Sequence, residues 1–397
     1  MLKKIKNYDF ILLFAPIILA GFGIVMIYSA SMVTAVMEGL DSTYYLVKQS
    51  QWFVLGLGGF ILFSIIPYQK YEKAIIWIIA LALFSLLGVL LFGDARGNAT
   101  RWLEIGPITI QPTEFVKLGL ILYLASVYSK KQAYINDFKK GVLPPLIMTV
   151  IIIALVLKQP DVGSAVTIFL IACTIVFSSG MRFKHILILG GVSILVVAVA
   201  IPYMITDERI SRFTGAYQPF EDPESAGHHL IQSYLAIGGG GITGEGLGQS
   251  VQKLGFLFGA HTDFIMSVIA EELGVFGVTI VIGLLSAIVL RGIYISIKCK
   301  DSFGALMAIG ISSMVGVQAL INLGSISGLL PITGITLPFL SYGGSSLLVL
   351  MISMGILNNI AATTKRNERG QGTAQTVPQK LNQRNFVTYR GGRKWSS

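Results

Sequence analysis

The chain has 397 residues, 53% of them hydrophobic and only 13% charged, with a mean hydropathy of +0.72 and a formal net charge of +10. Length alone would allow two or three soluble domains, but the apolar residues fall in runs long enough to cross a bilayer, which excludes a soluble architecture. No basic patch with interleaved aromatic residues occurs outside the tail, so the positive charge does not describe a nucleic-acid surface and no nucleic-acid partner is expected.

In chain order, Lys3, Lys4 and Lys6 precede an apolar run. That run is about 19 residues, longer than the core of a signal peptide, and no small-residue cleavage site follows, so it reads as a retained first helix. Ten apolar segments follow one another at 10–32, 49–66, 75–92, 113–128, 142–157, 163–178, 186–205, 264–290, 303–325 and 341–360. A helix satisfies its own backbone polar groups in lipid. The expected fold is therefore an all-α integral membrane protein of ten transmembrane helices, with a large extracytoplasmic loop, 206–262, between helices 7 and 8. Residues 1–364 form one polytopic membrane domain, and 365–397, polar, basic and rich in Gln, Asn and Gly, read as a disordered cytoplasmic tail.

The basic residues set the orientation. With ten spans and the amino terminus inside, 22 of the 30 Lys and Arg residues fall on the inner side and seven on the outer, with Lys117 inside a span. This matches the positive-inside rule, puts both termini in the cytoplasm and places Asp263 at the outer face. Cys173 lies in a predicted span and Cys299 in an inner loop, so no disulfide framework is implied.

Two outer loops and two span entries carry the polar chemistry. Residues 101–117, RWLEIGPITIQPTEFVK, bring Arg101 and Trp102 close to Glu114 and Lys117, which stand at i, i+3 on one helical face. That pair reads either as a structural ion pair neutralising two costly charges or as a functional one. Trp102 fits an interface belt or a sugar-stacking surface. QPDVGSA, 159–165, puts Asp161 in a tight turn where it can cap the next helix. HTDFIMSVIAEELG, 261–274, has Asp263 outermost, with Glu271 and Glu272 about two turns deeper, roughly 12 Å along the helix. An acidic group at the lipid boundary costs free energy unless it is hydrated, paired or functional. PITGITLPFLSYGGSS, 331–346, breaks the entry to the last span, and irregular backbone at that depth lines a cavity or is buried in protein. The loop 206–262 adds Arg209, Arg212 and Lys253 and a glycine-rich run, GGGGITGEGLG. That run lacks the Lys-Ser/Thr and the βαβ setting of a phosphate loop and reads as tight turns. The four histidines, 185, 228, 229 and 261, lack zinc-ligand spacing. A cavity lined by carboxylates, basic groups and Trp102, open to the outside within reach of lipid, suits the polar head group of a lipid carrier.

These four motifs, in this order, resemble those of the SEDS family (shape, elongation, division and sporulation proteins), integral-membrane peptidoglycan glycosyltransferases. FEDPESAGHHLIQS and GEGLGQSVQKLGFLFGAHTDF resemble the division branch more than the elongation branch, with an elongation or a sporulation polymerase as the alternative subtype. One departure is LFGAHTD, which stands where an acidic residue preceded by proline is common. The resemblance implies polymerisation of lipid II, the undecaprenyl-pyrophosphate-linked disaccharide peptide, at the outer face of the bacterial cytoplasmic membrane and at the division septum. An α-linked diphosphate donor giving a β-1,4 bond requires one inverting displacement, for which a single general base suffices. Asp263 is the expected base. Arg101, Trp102, Glu114, Lys117, Asp161, Arg209, Arg212, Lys253, His261 and Ser341 are the expected substrate-binding residues, with Arg101 and Lys117 leading for the diphosphate. The leaving diphosphate calls for cationic side chains or a divalent cation, Mg or Mn, and the sequence assigns no metal ligands. The implied partners are lipid II, the lipid-linked glycan, a class B penicillin-binding transpeptidase and other division-site membrane proteins. Two other classes are compatible with the residues: a lipid II flippase, and a non-catalytic scaffold for division enzymes.

Overall fold

The computed structural model describes residues 8–375, apart from 97, 98, 107, 133, 134, 136, 183, 186, 192–206 and 226. Helix α1 (Phe10–Met37) starts at Asp9, whose carboxylate accepts from the backbone N–H groups of Ile11 and Leu12 at 3.2 and 3.4 Å, closing otherwise orphaned donors. Helix α2 (Tyr44–Ile65) follows, and a single 3-10 turn, Tyr68–Lys70, runs into α3 (Tyr71–Phe92). Helix α4 (Pro112–Lys130) opens on a proline, whose missing N–H would have had no helical partner. A π-turn at Phe138–Val142 leads into α5 (Leu143–Lys158), and Asp161 caps α6 (Val162–Ser178) by accepting from Ser164 N at 3.1 Å.

Beyond the undescribed stretch come two short helices, α7 (Asp207–Tyr217) and α8 (His228–Gly239), then α9 (Ile265–Lys298), α10 (Ser302–Ile326) and α11 (Gly344–Gln375). Helix α9 is broken at Gly274, where φ is 60° and ψ −158°. Helices α4, α10 and α11 are well enclosed, with α11 packed along α2 and α10 among α4, α6 and α9. The outward faces are apolar instead of polar: Ile76, Trp77, Leu81 and Phe84 on α3 are each more than 70% exposed, as a lipid-facing surface requires.

Among the described residues, seven helices are long and apolar enough to cross a membrane: Phe10–Met37, Tyr44–Ile65, Tyr68–Phe92, Phe138–Lys158, Ile265–Lys298, Ser302–Ile326 and Gly344–Arg369. Predicted segment six corresponds to α6, which at 17 residues is shorter, and segment four to α4, which carries Glu114 and Lys117. Predicted segment seven, 186–205, lies largely outside the described residues.

Three expectations change. The protein is mostly helical but not all-α, because 94–110 fold into a three-stranded antiparallel sheet: β1 (Asp94–Arg96), β2 (Ala99–Ile105) and β3 (Ile108–Ile110). Trp102 pairs with Asp94, and Leu103 with Ile110. The alternation in TRWLEI and the branched Ile-Thr-Ile suit a pleated ribbon. The loop 206–262 is itself partly helical. Finally, α11 runs past residue 364 to Gln375, and 376–397 lie outside the described residues.

Candidate active site

The stretch between α10 and α11 is unwound, and its backbone is satisfied one group at a time. Asn322 Nδ2 donates to Ile335 O and to Asp263 O, both at 2.8 Å, so one amide ties the unwound stretch to the Asp263 loop. Tyr342 N donates to His261 O at 2.9 Å, a second tie between the same segments. Ser325 Oγ donates to Pro331 O at 3.0 Å, and Leu337 N donates to Ser341 Oγ at 2.8 Å. Buried polar backbone of this kind persists only when it is paired.

Against this scaffold lies a small polar cleft, with about 30 Å³ of water-accessible space, lined by Arg101, Gln111, Glu114, Lys117, Ser164, Thr167, Gly334, Ile335 and Thr336. Three motifs far apart in sequence thus meet here, and the fourth adjoins it. A Cβ built on Gly334 would stand 3.6 Å from Asp263 Oδ2 and 3.7 Å from Arg101 Nη1, so the carboxylate and the guanidinium face a common point. Arg101 Nη1 also lies 3.7 Å from Asp161 Oδ1, and Arg101 Nη2 donates to Pro160 O at 3.5 Å. Within the cleft Lys117 Nζ donates to Glu114 Oε1 at 2.8 Å, with both residues buried.

Asp263 is half-buried. Burial pushes its carboxyl up to about 6, and the positive charges of Arg101 and Arg212 limit the rise. The same environment gives the chemistry: a carboxyl poised to take a proton stands beside fixed cations that can hold an anion. Arg212 is exposed on α7 but close enough to act on Asp263. The Arg209 side chain lies outside the described residues.

Several predicted residues stand elsewhere. Lys253 is 2% exposed, with Nζ 2.7 Å from Glu272 Oε1 and 2.9 Å from Ser29 Oγ; a lysine sealed against an acid has no face for substrate. Ser341 is likewise buried and holds the turn at Leu337. His261 packs in an aromatic cluster, 4.6 Å from the Tyr45 ring centroid and 5.8 Å from that of Tyr342. Burial pulls its imidazole down to about 4, so it is neutral near pH 7. Trp102 is half-buried on β2. Sequence reasoning passed over Gln111, Ser164, Thr167 and Thr336 in the lining, and Asn322 behind Asp263. Asn322 had a signal, a carboxamide in an apolar span one turn after Gln318; the small hydroxyl residues had none.

Among the described residues no three His, Cys, Asp or Glu side chains gather as a metal site. Glu114, the carboxylate that lines the cleft, is paired with Lys117, and Asp161 and Asp263 beside it are both neighbours of the Arg101 cation, an arrangement that does not form an all-protein cage for a divalent ion.

The family of cell cycle proteins that includes FtsW, RodA and SpoVE matches residues 10–366. A Bacillus subtilis (strain 168) protein named "Probable peptidoglycan glycosyltransferase FtsW" is 49% identical over 95% of this chain and 96% of its own. "Stage V sporulation protein E" of the same organism is 37% identical over 91% and 99%. Among solved structures, a chain from "Structural coordination of polymerization and crosslinking by a peptidoglycan synthase complex" superposes with a TM-score of 0.75 at 27% identity, covering 90% of this chain and 98% of that one. The Thermus thermophilus rod shape determining protein RodA gives a TM-score of 0.66 at 27% identity over 89% and 96%. Four motifs that converge on one cleft, a match along nearly the whole chain and a shared fold agree: the chain belongs to the FtsW/RodA/SpoVE family of cell cycle proteins.

Proposed function

We propose that this chain is a peptidoglycan glycosyltransferase of cell division, joining lipid II units into glycan strands at the outer face of the cytoplasmic membrane. The division role is supported by the FtsW relative being nearer in sequence, 49% against 37% identity, than the sporulation relative from the same organism. The observation that carries the chemistry is Asp263 facing the same point as Arg101 at the edge of a cleft that also holds Lys117. In that arrangement Asp263 takes the proton of the acceptor sugar hydroxyl. The hydroxyl oxygen, as it loses that proton, forms the new bond to the anomeric carbon of the donor while the bond from that carbon to the diphosphate breaks, with inversion. Arg101 and Lys117 hold the departing diphosphate. Purified protein given labelled lipid II should yield polymer. Transfer of lipid II across a vesicle membrane without polymer would favour a flippase, and neither product would favour a scaffold.

The raised carboxyl sets a pH dependence. The base acts only when ionised, so the rate should climb with pH through a limb near 6. Arg101→Gln removes a charge that favours the carboxylate, and the limb should then move to higher pH. A rate independent of pH between about 5 and 7 would exclude Asp263 as the titrating group.

The proposed topology has ten spans, both termini in the cytoplasm and the loop 206–262 outside; it rests on the 22-to-7 distribution of basic residues. With Cys173 and Cys299 replaced, an impermeant thiol reagent on intact cells should label a cysteine introduced in the loop 240–260 and not one introduced at Lys139. The reverse pattern would invert the assignment. A class B transpeptidase is the proposed partner, supported by the fold shared with a chain from a complex that couples polymerization and crosslinking.

A further inference from the structure

The break in α9 at Gly274 frees carbonyls that an intact helix would use, and the glycine-rich run takes them up. Glu245 N donates to Glu271 O at 2.9 Å, Gly246 N to Glu272 O at 3.0 Å, and Val275 N to Gly241 O at 3.1 Å. A Cβ on Gly240 or Gly244 would collide with the carbonyls of Ala270 and Glu272, so glycine is required for this approach. The two side chains then pin the next residues of the loop. Glu271 accepts from Ser250 Oγ at 2.5 Å and from Val251 N at 2.8 Å. Glu272 Oε1 accepts from Lys253 Nζ at 2.7 Å and from Ser29 Oγ of α1 at 2.6 Å, and Lys253 and Glu272 are 2% and 0% exposed. The ion pair therefore closes the chain between 253 and 272 into a ring, and Asp263 stands at its middle, ten residues from one end and nine from the other.

We propose that the Lys253–Glu272–Ser29 cluster is a positioning device for Asp263, fixing both ends of the segment that carries the base. Fixed ends restrict the excursions of the chain between them, and a carboxylate displaced by about 1 Å from its productive position loses on the order of 10²-fold in rate. Lys253 and Glu272 act through Asp263 and touch no reacting atom. The inference rests on Asp263 being the base, which Asp263→Asn tests separately.

Lys253→Met, purified in detergent, should lose on the order of 10²-fold in kcat with KM for lipid II within about twofold of the parent. The reversed pair Lys253→Glu/Glu272→Lys restores the tie with opposite polarity and should recover to within about tenfold of the parent, because the tie positions the segment whichever end carries the positive charge. Ser29→Ala keeps the ion pair, guards against a single variant that fails to fold, and should lower kcat roughly fivefold with KM unchanged. Thermal unfolding of each variant verifies that the compared proteins are folded. A folded Lys253→Met protein with a raised KM and unchanged kcat would make Lys253 a substrate ligand and overturn the proposal. A folded but inactive reversed pair, or parental kcat in both Lys253→Met and Ser29→Ala, would overturn it as well. Full activity in Asp263→Asn would remove the base itself, a different failure from any of these.

Discussion

Asp263→Asn is expected to abolish polymerisation while the protein folds and elutes as the parent does. Asparagine keeps the shape of the side chain but cannot accept the hydroxyl proton, and loss of a general base lowers rates by about 10²–10⁴-fold. The fold should tolerate the change because the loop is held through main-chain groups: Asn322 Nδ2 reaches Asp263 O, and Tyr342 N reaches His261 O. Stability should if anything rise. Burial lifts this carboxyl from 3.8 to about 6, so between those values the folded state binds more protons than the unfolded one. Its contribution to stability therefore falls as pH rises through that window and stays unfavourable above it. A neutral amide avoids the penalty. An Asp263→Asn protein more heat-resistant than the parent at pH 7 and unable to polymerise lipid II would show a site that trades stability for chemistry. Near-parental polymer from that variant would sink the assignment and make Asp161, the other carboxylate beside Arg101, the next candidate.

The legible parts of this protein are those that depend on local pattern. Apolar runs gave the long helices, and Asp9, Asp161 and Asp301 stand as caps where short acidic side chains precede such runs. The convergence of the motifs around Arg101, Glu114, Asp161 and Gly334 was anticipated as an outward cavity lined by carboxylates and basic groups, but Trp102, expected in that lining, is not among the residues that line the cleft. Long-range partners were not legible. Lys253 looked like one more outward cation, because nothing near it in sequence announces a buried partner 19 residues on or a hydroxyl on the first helix. The glycine run read as generic turns because the carbonyls it approaches exist only once α9 breaks. The hairpin 94–110 was missed because its strands are short, and its register depends on cross-strand pairs such as Trp102 with Asp94.

Glu114 and Lys117 are where two roles compete over the same atoms. The pair is buried, with Nζ 2.8 Å from Oε1, one turn into α4, and both residues line the cleft that Arg101 also lines. As a purely structural pair, either single removal strands a charge in a poor dielectric, and removal of both is tolerated better than removal of either. As part of the reaction, the ammonium meets the diphosphate in the cleft, and Glu114 holds it there in the meantime. The second role accounts for a feature that the first does not: a pair serving only packing gains nothing from facing a polar cavity beside another cation. Lys117→Met is therefore expected to lower kcat by about 10²–10³-fold, the range for removing one preorganised group that stabilises developing charge. Glu114→Gln/Lys117→Met should stay equally inactive although it strands no charge, and its thermal unfolding should lie nearer the parent's than that of Lys117→Met does. Polymer assays on the folded single and double variants decide the matter. Recovery of near-parental activity in the double variant would return Lys117 to a structural role and leave Arg101 as the cation that meets the diphosphate.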